Sequence, residues 1–153
     1  MRYWLMKTEP DVFSIDDLKS QKTTPWEGVR NYQARNFMRD EMKKGDMVLI
    51  YHSNAKPPGV AGIGVVSKEA FPDHFSWDKK SKYFDPKSTK ENPRWVMVEV
   101  KFKKKFKELI SLSEIKETKD LEDMLILKKG NRLSITPVEK KHFDRIIEMN
   151  KKN

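Results

Sequence analysis

The chain has 153 residues, no cysteine, and 32 Lys plus Arg against 23 Asp plus Glu, a formal net charge of +9. That length suits one domain over residues 1–153 with a sizeable core, and the missing thiols exclude disulfides, thiolate zinc sites and cysteine nucleophiles. The charge favours polyanions, nucleic acid before membrane, although a Lys-rich solvated surface accounts for it equally well.

No apolar run approaches the ~20 residues of a membrane helix. Lys7 and Glu9 interrupt any signal-peptide order at once. The expectation is a soluble, cytoplasmic protein with no membrane partner and no obligate protein partner.

Tyr3–Met6 reads as a short strand, apolar on both faces and so central, and Pro10 ends it because it lacks the ladder N–H. Ser14 caps a helix over residues 15–19, with Asp16 and Asp17 well placed in its first turn. Thr23-Thr24-Pro25 reads as a linker delivering Trp26, and a helix from about Asn31 to Met42 stops at Gly45. Residues 46–52 make a buried strand, 54–59 a turn, and 60–68 a strand in which Gly62 and Gly64 imply curvature or close backbone approach. Residues 71–92 are the longest irregular stretch, and 95–106 give the clearest strand. Short helices follow near 114–116, capped by Ser111 or Ser113, and over 121–127. A last strand covers 132–135, and Pro137 opens a helix from Val138 to Met149 with one apolar core-packing stripe. Short strands interrupted by short helices give an α+β protein around a curved mixed sheet or barrel.

The run Trp26 to Asn36 stands apart from these elements. It gathers a Trp, a Gly turn, two Arg, two Asn, a Gln and a Tyr in eleven positions. Flat π faces, a planar cation and paired amide donors and acceptors are the parts needed to stack on a nucleobase and read its edge. Trp26 serves as an aromatic wall or a core anchor. Arg30, Asn31 and Arg35 suit phosphates and base edges, yet Asn31 also suits a helix cap and Arg35 a surface ion pair with Asp40 or Glu41.

Tyr51-His52-Ser53-Asn54 leaves a buried strand, where binding groups commonly sit. His52 is the one candidate general base there, though a lone histidine is more often structural. His74 and His142 lack ligand spacing with another histidine or carboxylate, so no metal site and no cofactor is expected. Trp95 completes an aromatic cage or packs in the core, Lys87 and Arg94 lie near it in sequence, and Lys101–Lys107 either tracks a backbone or protects an edge strand. No Walker loop, GxGxxG or Ser-His-Asp pattern is present, so binding is favoured over catalysis.

Tyr3-Trp4-Leu5-Met6-Lys7-Thr8-Glu9-Pro10, Trp26 through Asn36, Tyr51 through Asn54, Tyr83 through Ser88, Pro93-Arg94-Trp95 and Arg132 through Val138 together resemble the EVE domain across almost the whole chain. The resemblance implies a PUA-like fold, a pseudo-barrel with flanking helices related to the YTH readers. It also implies a non-enzymatic module recognising an extruded, modified base such as methylated or hydroxymethylated cytosine. Its pocket would draw on Trp26, Val29, Asn31, Tyr51, His52, Ser53, Asn54 and Trp95, with Arg30, Arg35, Lys87 and Arg94 on the DNA or RNA backbone. The short N-terminus looks like that of a stand-alone prokaryotic member. The alternatives are a nucleotide- or RNA-processing enzyme using His52 and a small-molecule-binding regulator.

Overall fold

The computed structural model describes residues 1–152. Six strands carry the fold: β1 (Tyr3–Thr8), β2 (Thr23–Pro25), β3 (Met47–His52), β4 (Gly59–Pro72), β5 (Val96–Ser111) and β6 (Ile135–Val138). They form one mixed sheet in the order β2-β5-β4-β3-β1-β6, with β1 parallel to β3 and every other pairing antiparallel. Helices α1 (Ile15–Gln21), α2 (Tyr32–Asn36), α3 (Leu112–Glu117) and α4 (Lys140–Lys152) flank it.

As its apolar run demands, β1 is central and buried on both faces. Trp4 and Met6 pack into one core with Trp26, Val48 and Ile50; Leu5 joins a second with Leu49, Tyr51, Phe106 and Ile146. Register shifts between β3 and β4 and at four places between β4 and β5 bend the sheet. Gly62 and Gly64 sit in this bent region, where a Cβ would strike the Lys104 carbonyl and the Val100 side chain.

Four local expectations need correction. Thr23–Pro25 is a strand, not a linker: Thr23 to Pro25 pair with Lys101 to Glu99, and the Trp26 N–H continues the ladder to the Val98 carbonyl at 2.8 Å. The Asn31–Met42 helix is five α-helical residues followed by a π-turn over Phe37–Glu41, closed by Met42 N–H to Phe37 O. Residues 121–127 hold 3₁₀ turns at Lys119–Leu121 and Leu125–Leu127 in place of a helix. The final strand runs Ile135–Val138, and Pro137 lies within it, tolerated because β6 is an edge; the helix starts only at Lys140.

Candidate functional site

The parallel strands β1 and β3 end side by side, Thr8 opposite His52. Beyond these carboxyl ends opens a cleft of about 700 Å³, within the ~300–1,000 Å³ usual for small-ligand sites. One wall comes from the β1 exit (Lys7, Thr8, Glu9) and the turn to α1 (Val12, Phe13). Thr24, Pro25 and the Trp26–Asn31 run supply another, Ser53 the floor near β3, Lys82 and Tyr83 the long loop, and Arg132 and Ser134 the approach to β6. Residues beside both edge strands, β2 and β6, thus border one cleft, because the bent sheet curls its two edges toward it.

Trp26 is held rigidly. Its ring meets Phe13 edge-on at 6.4 Å and 82°, and it is only 7% exposed. Thr8 Oγ1 donates to the Phe13 carbonyl at 2.7 Å, fixing the turn that carries this partner. Anchor and wall are therefore the same residue.

The following residues turn sharply. Gly28 adopts φ +79°, and a Cβ there would lie 2.5 Å from the Tyr83 ring. Asp73, fully buried, accepts hydrogen bonds from Gly28 N (3.2 Å), Phe75 N (3.0 Å) and Arg30 Nη1 (3.0 Å). Arg30 also donates through Nε and Nη2 to the Tyr83 carbonyl and through Nη1 to the Val29 carbonyl. Its guanidinium is thus largely consumed in bracing the Trp26–Asn31 run against the 73–83 segment. Asn31 Oδ1 accepts the Ala34 N–H and caps α2.

Charge in the cleft is mixed, with Lys7, Arg30, Lys82 and Arg132 facing Glu9 and Glu27. Burial raises the Glu27 carboxyl above its ordinary pKa, aided by Asp73 and opposed by Lys82, His74 and Arg30. Burial also lowers that of Lys7.

Of the twelve residues named from sequence, the cleft brings together Trp26, Val29, Arg30, Asn31 and Ser53. Tyr51 instead points into the second core, on the β3 face shared with Leu49. Asn54 adopts φ +50° and donates to Glu9 Oε1 at 2.8 Å from beside the cleft. Trp95, 4% exposed, donates its indole N–H to Asp85 at 2.7 Å and stacks on Tyr32, outside the cleft lining. Arg35 donates to the Arg94 carbonyl and to Asn36 Oδ1, while Asp40 pairs with Arg39, so the surface pair with Asp40 or Glu41 does not form. Lys87 is exposed, and its backbone N–H meets Asp85.

His52 Nε2 accepts the Ile15 N–H at 3.1 Å, at the first residue of α1. Acceptance requires a neutral ring, and burial lowers the His52 pKa below 6.5, with Asp16 opposing and Lys105 reinforcing the shift. A depressed pKa means that the unfolded chain takes up this proton first. Stability from His52 is then complete above about pH 6.5 and falls as pH drops toward the lowered value. His52→Asn is expected to flatten the fall in melting temperature between pH 7.5 and 5.5; an unchanged slope would remove His52 from this role.

The sequence reading missed Glu9, Glu27, Tyr83, Arg132 and Ser134, although all five lay inside the blocks it quoted. It also placed His142 away from carboxylates. Asp123, Glu139 and His142 in fact bring their ligand atoms within 4.8 Å of one another. His142 Nε2 lies 2.7 Å from Asp123 Oδ1, a hydrogen-bonded pair that accounts for the grouping.

Comparison with known proteins decides the lineage, for residues 2–149 match the EVE domain. The chain belongs to the EVE-domain family. Chicken thymocyte nuclear protein 1 is 45% identical over 166 residues, covering 96% of this chain and 68% of its own length. A hypothetical protein from Leishmania major superposes with a TM-score of 0.95 at 49% identity, covering 99% of this chain and 96% of the other. Human THYN1 in complex with 5-methylcytosine-containing DNA superposes with a TM-score of 0.92 at 42% identity, covering 100% and 99%. The sheet and its flanking helices are the EVE, PUA-like fold that the resemblance implied.

These relatives overturn one expectation. The short N-terminus points to a prokaryotic member, and the lack of a membrane run and of a signal-peptide order to a cytoplasmic one. Instead the similar curated proteins include vertebrate thymocyte nuclear protein 1, a nuclear protein by its name, and a fission-yeast protein 38% identical. Among the described residues no helix is long and apolar enough to cross a membrane.

Proposed function

We propose that this EVE-domain protein is a non-enzymatic reader that takes an extruded modified cytosine of DNA into the cleft beside Trp26. The observation that carries the reading is the cleft itself: an indole held on its wall, with hydrogen-bonding groups of both signs around it. The human relative crystallised with 5-methylcytosine-containing DNA supports the choice of base.

Cytosine presents an N4 amino donor, which a carboxylate accepts. Glu27 and Glu9 are the carboxylates lining the cleft, while Ser53 and Asn31 offer further edge contacts. Val12, Phe13 and Val29 supply apolar surface for a 5-methyl group. Lys7, Lys82 and Arg132 meet the phosphates, and Arg30 holds the wall in place. Extrusion from a duplex costs a few kcal/mol, offset by stacking of about 1–3 kcal/mol per base. RNA and other modified bases form the remaining arms of the test.

The test measures binding of wild type and Trp26→Leu to matched oligonucleotides. These are unmodified, cytosine-methylated, cytosine-hydroxymethylated or adenine-methylated, as DNA and as RNA, at two salt concentrations. Leucine keeps an apolar side chain at this core position but removes the flat face, and thermal melting checks that the smaller side chain leaves the protein folded. Tighter binding of the methylated cytosine strand, lost with Trp26→Leu together with about tenfold in affinity, is the expected result. Equal binding to every strand by both proteins would leave only a basic surface.

A further inference from the structure

Tyr32 follows the cleft residue Asn31 in sequence and opens α2, yet its own side chain lies outside the cleft lining and is 49% exposed. Its ring stacks on Trp95 with centroids 4.9 Å apart and planes 24° apart. The Arg35 guanidinium lies 4.8 Å from the Tyr32 ring and 5.8 Å from the Trp95 ring.

Those three separations fix which side is free. Were Arg35 and Trp95 on opposite faces of Tyr32, they would be separated by roughly the sum of their distances to it, far more than is found. Arg35 and Trp95 therefore do not sandwich the ring, and one face of the tyrosine is covered by neither. The backing is rigid: Trp95 is buried and donates to Asp85 at 2.7 Å, and Arg35 is locked by the Arg94 carbonyl and Asn36 Oδ1. The Arg94 guanidinium sits 6.0 Å from the Tyr32 ring, and among the described residues it pairs with no carboxylate.

The ring stays half exposed although it is stacked on the buried Trp95. A flat ring, backed by Trp95 and Arg35 and flanked by the Arg94 guanidinium, is the composition of a nucleobase-stacking platform. Apolar protein partners would call for a wider apolar patch than one ring flanked by cations.

We propose that the outward face of Tyr32 stacks the nucleobase adjacent to the one held in the cleft, and that Arg94 meets the phosphate between them. This inference rests on the reading of the cleft as a base pocket. It adds a second stacking position, which fixes the register of the strand without sensing the modification.

Oligonucleotides carrying one methylated cytosine test it, with an intact neighbour or with an abasic site on its 5′ or 3′ side. Tyr32→Leu keeps an apolar cover over Trp95, Tyr32→Trp restores a flat ring, and thermal melting checks the fold. Tyr32→Leu is expected to bind the intact strand about tenfold more weakly, and Tyr32→Trp to recover it. The preference for methylated over unmodified cytosine and the salt dependence stay as in wild type, since no phosphate contact is lost. On the strand abasic at the contacted neighbour, wild type weakens to the same degree and Tyr32→Leu adds nothing.

A folded Tyr32→Leu protein with wild-type affinity, or one that loses equally on both abasic strands, overturns the platform. The two readings separate cleanly. Methylation-selective binding that ignores Tyr32 removes the platform and keeps the pocket. Binding that depends on Tyr32 but is indifferent to modification and to Trp26 removes the pocket and keeps a stacking surface.

Discussion

Asp73→Ala is expected to destabilise the protein by about 3–5 kcal/mol, the usual result of removing one partner from a buried ion pair. The carboxylate is fully buried and holds three donors: the Gly28 and Phe75 amides and the Arg30 guanidinium. Alanine leaves two amides without an acceptor and Arg30 without its counter-charge, though the guanidinium keeps the Tyr83 and Val29 carbonyls, a loss larger than the pair itself contributed. Because Arg30 keeps 24% of its side chain in contact with solvent, the lower end of that range is expected. Denaturant unfolding measures the change. Asp78→Ala, an exposed turn residue whose carboxylate accepts only the Lys80 amide, serves as the control and should stay within about 0.5 kcal/mol. A loss below about 1 kcal/mol for Asp73→Ala would show that Asp73 does not brace the cleft wall.

That brace was invisible in the sequence for a simple reason. Asp73 and its partners Gly28 and Arg30 are more than forty positions apart, and a single aspartate in a polar loop carries no periodicity. What could be read locally was read. Central β1 followed from apolar residues on both faces, and Ser14 and Ser111 both cap their helices with a carboxylate three positions on. Where neighbours far along the chain decide, the reading failed. Thr23-Thr24-Pro25 has no strand pattern of its own and becomes one because β5 offers an edge. Tyr51 lies near the end of a strand whose alternation allowed either face, and it fell on the face that joins the core of Phe106 and Ile110. Trp95 was an aromatic of either role until Tyr32 was found stacked on it. The cleft suffered most, being assembled from a strand exit, an edge strand and two loops that no window spans. Most of its lining, Glu9 and Arg132 among it, nevertheless sat inside the blocks that carry the resemblance to the EVE domain.

Gly28→Ala should close the cleft from within, and its effect separates into two parts. The first is backbone: a φ of +79° costs an L-residue about 1–2 kcal/mol. The second is steric: the new methyl would stand 2.5 Å from the Tyr83 ring, so the ring must move, and overpacking of this kind costs about 1–3 kcal/mol. The Tyr83 backbone is pinned, since its carbonyl receives both Arg30 Nε and Nη2, so the ring must turn about its own side-chain bonds or strain that anchor. Gly45 supplies the comparison, with φ +95° and nothing within 4 Å of an added Cβ. Gly45→Ala therefore isolates the backbone part, and the excess cost of Gly28→Ala reports the contact with Tyr83. The cycle is completed by Tyr83→Ala, in whose background the excess should vanish. Binding follows the same logic: Gly28→Ala displaces the loop bearing Lys82 and Tyr83 and is expected to weaken oligonucleotide affinity tenfold or more, whereas Gly45→Ala leaves it intact. Equal destabilisation by the two substitutions, with affinity preserved in both, would mean that Tyr83 yields easily and is not a fixed wall of the cleft.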